Sequence, residues 1–200
     1  MIKPILLAAA LVGASSAVLA QQPAATATAQ ATAPKADLVP VAIETSLGRI
    51  VIALDRGRAP ATTANFLRYV DAGRLNGESF YRAMNYPGGG LIQGGVTSDS
   101  RKLYPAVEHE PVSKTGISHV AGTVSMANGG PGTARSDFFI MASDSPAFDA
   151  DFAAFGRVIE GMDVVKKVLA APTSPTKGEG VMKGQMLEPK VKIVSAARVK

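Results

Sequence analysis

Met126-Ala-Asn-Gly-Gly-Pro-Gly-Thr-Ala-Arg-Ser-Asp-Phe-Phe-Ile140 is the stretch on which the fold turns. Gly122 to Ala127 leads into it and Asp137 to Ala142 leads out, both with strand composition. Between them lies a loop rich in Gly and Pro, the residues that let a chain reverse. Successive strand residues face opposite sides. Phe138 and Phe139 therefore cannot both enter a core: one should, and the other is free to line a surface pocket. Phe80-Tyr81-Arg82 lies upstream in a strand from Phe80 to Met84, and Gln93-Gly94-Gly95 ends or follows another from Leu91 to Gly94. Tyr86 to Gly90, with three consecutive glycines, reads as the loop between those two strands.

Working outward, Val39 to Glu44 and Arg49 to Leu54 predict a β-hairpin around Ser46-Leu47-Gly48. Pro60 opens a helix, since the first turn does not need its missing N–H. Phe66 and Val70 share a face of that helix, and Gly73 suits its end. Pro105 to Ser118 reads as irregular, Phe155 to Ile159 as a strand, and Asp163 to Ala170 as a second helix. Thr173 to Glu188 reads as a polar loop, and Lys190 to Val194 alternates as a half-buried strand should. Many short strands with two helices predict a mainly β fold, either a sandwich or a closed barrel. Phe80 belongs with the core residues.

The ends and the composition narrow the function. Met1-Ile2-Lys3, the apolar run from Ile5 to Val12 and Val18-Leu19-Ala20 predict a cleaved signal peptide over 1–20. The run falls short of the ~20 residues of a membrane span. No span is therefore expected in the mature protein, and the expected location is the periplasm, or the exterior by secretion. Residues 21–37 hold Ala, Thr, Gln and Pro without a large apolar side chain, the composition of a disordered linker. One domain is expected over 38–200. There is no Cys, so the exported chain must be stable without disulfides. The net charge of +5 is scattered rather than gathered into basic runs, so nucleic acid is not an expected partner. Neither a Gly-x-Gly-x-x-Gly spacing nor a P-loop is present. No Gly-x-Ser-x-Gly elbow is present, although composition alone leaves a Ser/His/Asp site open. His109 and His119 lack the spacing of a metal pair, and no cofactor or metal is expected.

Phe80-x-Arg82, Gln93-Gly94-Gly95, Met126-Ala127-Asn128, Gly130-Pro131, Ser136, Phe138-Phe139 and Phe155-Gly156 together resemble the cyclophilin-type peptidyl-prolyl isomerases, over about Val41 to Val168. The resemblance implies a closed eight-stranded antiparallel barrel capped by two α-helices, with a substrate groove on its outer surface. It implies that Arg82 is the catalytic residue and that Gln93 and Asn128 hold the substrate backbone. The backbone of Ala127 is implied to pair with the peptide, and Leu91, Phe139 and Phe148 to form the proline pocket. The substrates would be proline-containing unfolded or flexible proteins and peptides, met by a monomer. The chemistry suits those residue types. Rotation about an Xaa-Pro bond faces a resonance barrier of ~18–20 kcal/mol, and a charged donor aimed at the prolyl nitrogen favours the twisted state in which its lone pair is localised.

Four positions depart from the family. Gly90 stands where an aromatic precedes Leu91, a place Tyr86 is then expected to fill by folding back across a longer loop. Ala147 replaces Trp or Phe, Asp137 replaces Gln, and Phe152 replaces His. The expected consequence is a reshaped pocket. The alternative is a proline-peptide binding module or chaperone with little isomerase activity.

Overall fold

A computed structural model describes residues 35–199. The expected signal peptide, and the expected linker up to residue 34, lie outside the described residues. Nine strands and three α-helices follow in the order β1 (Leu38–Thr45), β2 (Gly48–Asp55), α1 (Pro60–Asp71), β3 (Ser79–Tyr86), β4 (Gly89–Gly95), α2 (Val112–Thr115), β5 (Thr123–Met126), β6 (Phe138–Met141), β7 (Ala153–Glu160), α3 (Met162–Leu169), β8 (Thr173–Ser174) and β9 (Met186–Arg198). All pairings are antiparallel.

The strands run β1-β2-β7-β5-β6-β4-β3-β9, and β9 also pairs with β1. That last pairing makes the fold a closed barrel of eight strands rather than a sandwich. The two-residue β8 adds only to the start of β9. Closure works because β9 is 13 residues long, well beyond the expected Lys190 to Val194. Its first half pairs with β3 through Ser79↔Lys192 and its second half with β1 through Ala42↔Ala197.

Three further expectations are corrected. Pro105 to Ser118 is not wholly irregular, because it holds the one-turn helix α2, which makes three α-helices rather than two. Tyr86 to Gly90 is a tight hairpin turn rather than a loop. Tyr86 pairs with Gly89, which leaves Pro87-Gly88 at the tip, and Gly88 takes the positive φ of 84° that the turn needs. Thr173 to Glu188 is not wholly loop, because it contains β8 and a short helical turn at Gly180–Met182.

Burial explains the order of elements. Val41 and Ile43 on β1 face Ile52 and Ile50 on β2, and all four are fully buried. Helix α1 begins after Ala59, which has no side-chain oxygen to cap the free N–H groups of its first turn. Glu110 does so from another segment, its carboxylate accepting from the N–H of Ala61 at 3.1 Å and of Thr62 at 2.8 Å. Phe66 on α1 meets Phe138 on β6 edge-on at 5.1 Å and Phe155 on β7 at 5.4 Å, while Phe80 on β3 meets Phe138 at 5.6 Å. Side chains thus fill the barrel, as they do in barrels of this size. Among the described residues, no helix is long and apolar enough to cross a membrane.

Phe138→Ala removes the ring on which Phe66 and Phe80 both pack. The expected loss is about 3–5 kcal/mol of unfolding free energy, measured by denaturant titration with an unchanged slope.

Candidate active site

The site grows out of an irregularity in β3. Phe80 pairs with Gly94 and Arg82 with Gln93, so Tyr81 is an extra residue in the ladder. Such a bulge re-aims side chains. Phe80 and Ala83 point into the core, while both Tyr81 and Arg82 lie half-buried between them. Simple alternation places Tyr81 opposite Arg82, and the bulge is the reason it is not. The neighbouring glycines allow this close packing: a Cβ on Gly94 would sit 2.9 Å from the Ser79 carbonyl oxygen, and one on Gly95 2.8 Å from the Asp137 Cα.

From Arg82, register carries a row of side chains across the outer face of the barrel. Arg82 opposes Gln93, Gln93 opposes Phe139, and Phe139 opposes Ser125. Opposed residues of an antiparallel pair share a face, so the four form a line. A second, apolar row beside it runs Met84, Leu91, Met141. A groove of about 320 Å³ lies over these rows, and all seven expected site residues line it: Arg82, Leu91, Gln93, Ala127, Asn128, Phe139 and Phe148. Met84, Phe152, Val181 and Met182 complete it.

Arg82 is held by a directional chain of hydrogen bonds. Its Nη1 donates to Gln93 Oε1 at 2.8 Å, Gln93 Nε2 donates to the Tyr81 hydroxyl at 2.7 Å, and that hydroxyl donates to Asp137 Oδ1 at 2.7 Å. The direction is forced from both ends, since guanidinium can only donate and a carboxylate can only accept. Asp137 therefore acts on Arg82 through two intermediaries. Burial pushes the Asp137 carboxyl above its ordinary range, against the opposing hydrogen bonds of Tyr81 and Ser136. Burial likewise draws the Arg82 guanidinium below its usual value, though arginine remains protonated in proteins. Arg82 Nε also donates to Gln185 Oε1 at 2.8 Å, and Nη2 to the Met84 sulfur at 3.3 Å.

The polar neighbours are committed internally as well. Asn128 donates from Nδ2 to the Asp151 carbonyl and accepts the Gly130 N–H on Oδ1, both at 3.0 Å. The Ala127 N–H is bonded to the Asp137 carbonyl at 2.8 Å, so only its own carbonyl remains to pair with a peptide.

Three of the four departures do not line the groove, and one of these, Asp137, lines the hollow beside it. A Cβ on Gly90 would meet the Met84 carbonyl oxygen at 2.6 Å and the Leu169 side chain of α3 at 2.9 Å, so this position faces away from the groove. Tyr86 does fold back over the hairpin, its hydroxyl 3.2 Å from the Ser143 Oγ that also accepts the Gly90 N–H at 3.3 Å, but it does not line the groove. Ala147 is exposed and does not line the groove. Phe152, by contrast, is a wall, with its ring 5.2 Å from Phe139 and 5.4 Å from Phe148.

Sequence reasoning missed His119. It is fully buried, with its ring stacked 5.8 Å from Phe139 and tilted against Phe148 at 6.0 Å. Its Nδ1 lies 2.6 Å from Asp149 Oδ1, in the turn that carries Phe148, and its Nε2 lies 2.9 Å from Ser125 Oγ. The carboxylate places the proton on Nδ1, leaving Nε2 to accept from the serine hydroxyl. The connectivity is that of a Ser/His/Asp triad, but Ser125 is fully buried and no substrate can reach it. The arrangement instead ties three walls of the pocket together. Nothing in the local sequence signals it, because Asp149 lies 30 residues away. Tyr81 and Gln185 went unassigned for the same kind of reason, Gln185 being 103 residues from Arg82.

Comparison with known proteins agrees with this geometry. The family model described as "Cyclophilin type peptidyl-prolyl cis-trans isomerase/CLD" matches residues 40–198. The chain belongs to the cyclophilin-type peptidyl-prolyl cis-trans isomerase family. It is 34% identical over 167 residues to a protein of Dickeya dadantii named peptidyl-prolyl cis-trans isomerase A, covering 80% of this chain and 83% of that one. It is 35% identical over 140 residues to a peptidyl-prolyl cis-trans isomerase of Acinetobacter baylyi, covering 67% of this chain and 73% of that one. A cyclophilin-type isomerase of Cryptosporidium parvum shares the fold with a TM-score of 0.69 at 22% identity, covering 82% of this chain and 99% of that one. Within this cyclophilin fold, the bulge at Tyr81 and the outer row from Arg82 to Ser125 place the groove on the barrel's outside wall.

Two outcomes are expected. Tyr81→Phe removes both the acceptor for Gln93 and the donor to Asp137; stability should fall by about 1 kcal/mol through the half-buried carboxyl, which keeps only Ser136 as a donor, and peptide binding should weaken. Burial holds the His119 pKa below its ordinary value despite the upward pull of Asp149. The unfolded chain therefore takes up that proton first as pH falls. The stabilisation is complete above about pH 7 and declines as pH drops through about 6.5 and below. Melting curves against pH should show this decline in the wild type and a shallower one in His119→Gln.

Proposed function

We propose that the groove isomerises Xaa-Pro peptide bonds, with Arg82 as the group that stabilises the twisted state. The observation that carries this is the placement of one half-buried guanidinium beside a floor of Leu91, Phe139, Phe148 and Phe152 in a single groove. The apolar floor suits a proline ring. Three N–H groups of Arg82 are engaged, by Gln185, Gln93 and Met84, and they fix the plane of the guanidinium. The remaining N–H groups serve the prolyl nitrogen. In the planar ground state that lone pair is delocalised and accepts poorly. In the twisted state it is localised and accepts well, so the hydrogen bond is stronger in the transition state than in the substrate, which is the condition for acceleration. Neither proton transfer nor covalent chemistry is needed.

The peptide runs past the Ala127 carbonyl and the side chains of Gln93 and Asn128. Gln93 holds Arg82 before substrate arrives, and its exchange of partners on binding couples peptide recognition to the catalytic group. Neither Gly90 nor Ala147 lines the groove, while Arg82 and the apolar floor are all present, which favours an isomerase over a binding-only module.

The clients are proline-containing flexible or unfolded segments. The N-terminal signal-peptide pattern of residues 1–20 and the Ala/Thr/Gln/Pro-rich stretch to residue 37 support an exported enzyme acting in the envelope, with the catalytic domain on a linker.

The test is the cis-to-trans rate of a short Xaa-Pro peptide with the full chain and with Arg82→Ala. Wild type should accelerate it. The variant should lose about 10²–10³-fold in kcat/KM while keeping its melting temperature within a few degrees. Equal activity in a folded variant would remove Arg82 from the mechanism, and no acceleration by the wild type would remove the reading itself.

A further inference from the structure

A second hollow, of about 250 Å³, shares Gln93, Ala127 and Asn128 with the groove and continues past Leu103, Thr133 and Arg135. Arg135 is the arginine that lines it, and two more stand behind its Leu103 wall, around the neighbouring Tyr104. The ring of Tyr104, next to Leu103, carries the Arg74 guanidinium at 3.8 Å and the Arg68 guanidinium at 4.6 Å from its centroid. Arg74 Nη1 donates to the Lys102 carbonyl at 2.5 Å, and Arg68 Nη2 donates to Asn65 Oδ1 at 2.8 Å. Asn65 is buried and donates in turn to the Arg135 carbonyl at 2.7 Å. One buried amide thus links the two sides of the cluster, and the guanidinium groups of Arg68 and Arg74 are held in place before any ligand arrives.

Charge pairing around the cluster is uneven. Arg101 is paired with Asp99 and Lys102 with Glu78. Among the described residues, Arg68, Arg74 and Arg135 have no carboxylate within ion-pair distance. The acid that does line the hollow, Asp137, turns its oxygens to Tyr81 and Ser136. Stacking on Tyr104 accounts for where Arg68 and Arg74 lie, but it leaves their charge uncompensated. Arg135 is exposed beside the shared hollow and stacks on nothing.

We propose that Arg68, Arg74 and Arg135 form an anion-selecting arm of the substrate groove, so that the preferred client is a proline segment carrying acidic side chains a few residues to one side of the proline. This rests on the isomerase reading for the position of the proline and adds the class of client. Electrostatic complementarity of this kind acts mainly on selectivity and on encounter rate.

The test uses proline peptides with Glu-Glu, Lys-Lys or Ala-Ala placed before the proline, and a second set with the pair placed after it. The full chain should favour Glu-Glu over Lys-Lys by about tenfold in kcat/KM at low ionic strength, in one placement only. The preference should shrink as salt shortens the Debye length. Arg135→Gln alters an exposed side chain, so it should fold normally, keep Ala-Ala turnover and lose part of the preference. Arg68→Gln with Arg74→Gln should lose more, and the two Lys replacements at those positions, which keep the charge, should restore it. No charge preference in either placement, or one that survives in all the Gln variants, overturns the proposal. If no peptide is isomerised, anisotropy of the same labelled peptides decides the arm separately: tighter Glu-Glu binding that is lost in Arg135→Gln supports it, and equal binding of all three peptides overturns it.

Discussion

The position of one ring governs the rest of the molecule. Phe138 sits in the barrel interior against Phe66 and Phe80, so Phe139 has to point outward. Ladder register then extends the assignment sideways. Gln93 and Ser125 oppose Phe139, and Arg82 opposes Gln93, so packing inside the barrel dictates which side chains line its outside wall. A one-residue slip in β6 would invert the whole arrangement, exposing core rings and burying a guanidinium. The stability of the interior is therefore also the specification of the groove.

Within the groove, two polar assemblies do different work. One begins at a cation and ends at a carboxylate, with Gln93 and Tyr81 between, and it fixes the orientation of Arg82. The other, around the fully buried His119 and Ser125, fixes apolar walls: it ties Ser125 on β5 to the turn bearing Phe148 while stacking on Phe139. Both depend on complete satisfaction. In a low-dielectric setting a partner removed from either leaves a neighbour stranded.

Much of the architecture was legible in the sequence because it is written in local patterns. The β1–β2 hairpin and the Pro60 start follow from periodicity and turn chemistry, and so does the rule that only one of Phe138 and Phe139 can face inward, while family likeness said which. The seven groove residues were found through family likeness rather than through any pattern of their own: Gln93 reads as an ordinary strand polar residue and Asn128 as a turn former. What stayed hidden was long-range or irregular. The bulge at Tyr81 breaks the alternation that strand reading assumes. Glu110 caps a helix 48 residues upstream, and Gln185 reaches Arg82 from a stretch that reads as featureless loop. The three-glycine run, read as a loop, is a tight turn because only one of those glycines is at its tip.

The seam of the barrel has a consequence for how the chain is made. β9 is the last strand of the described chain to leave the ribosome, and it alone bridges β3 and β1. Until it arrives, both of those strands present rows of unpaired backbone donors and acceptors, the kind of edge that invites association with another chain. Completion must then wait until β9 has been made. Each nascent molecule thus passes through an open, edge-exposed stage, and loss of β9 by truncation or proteolysis would return a finished barrel to it.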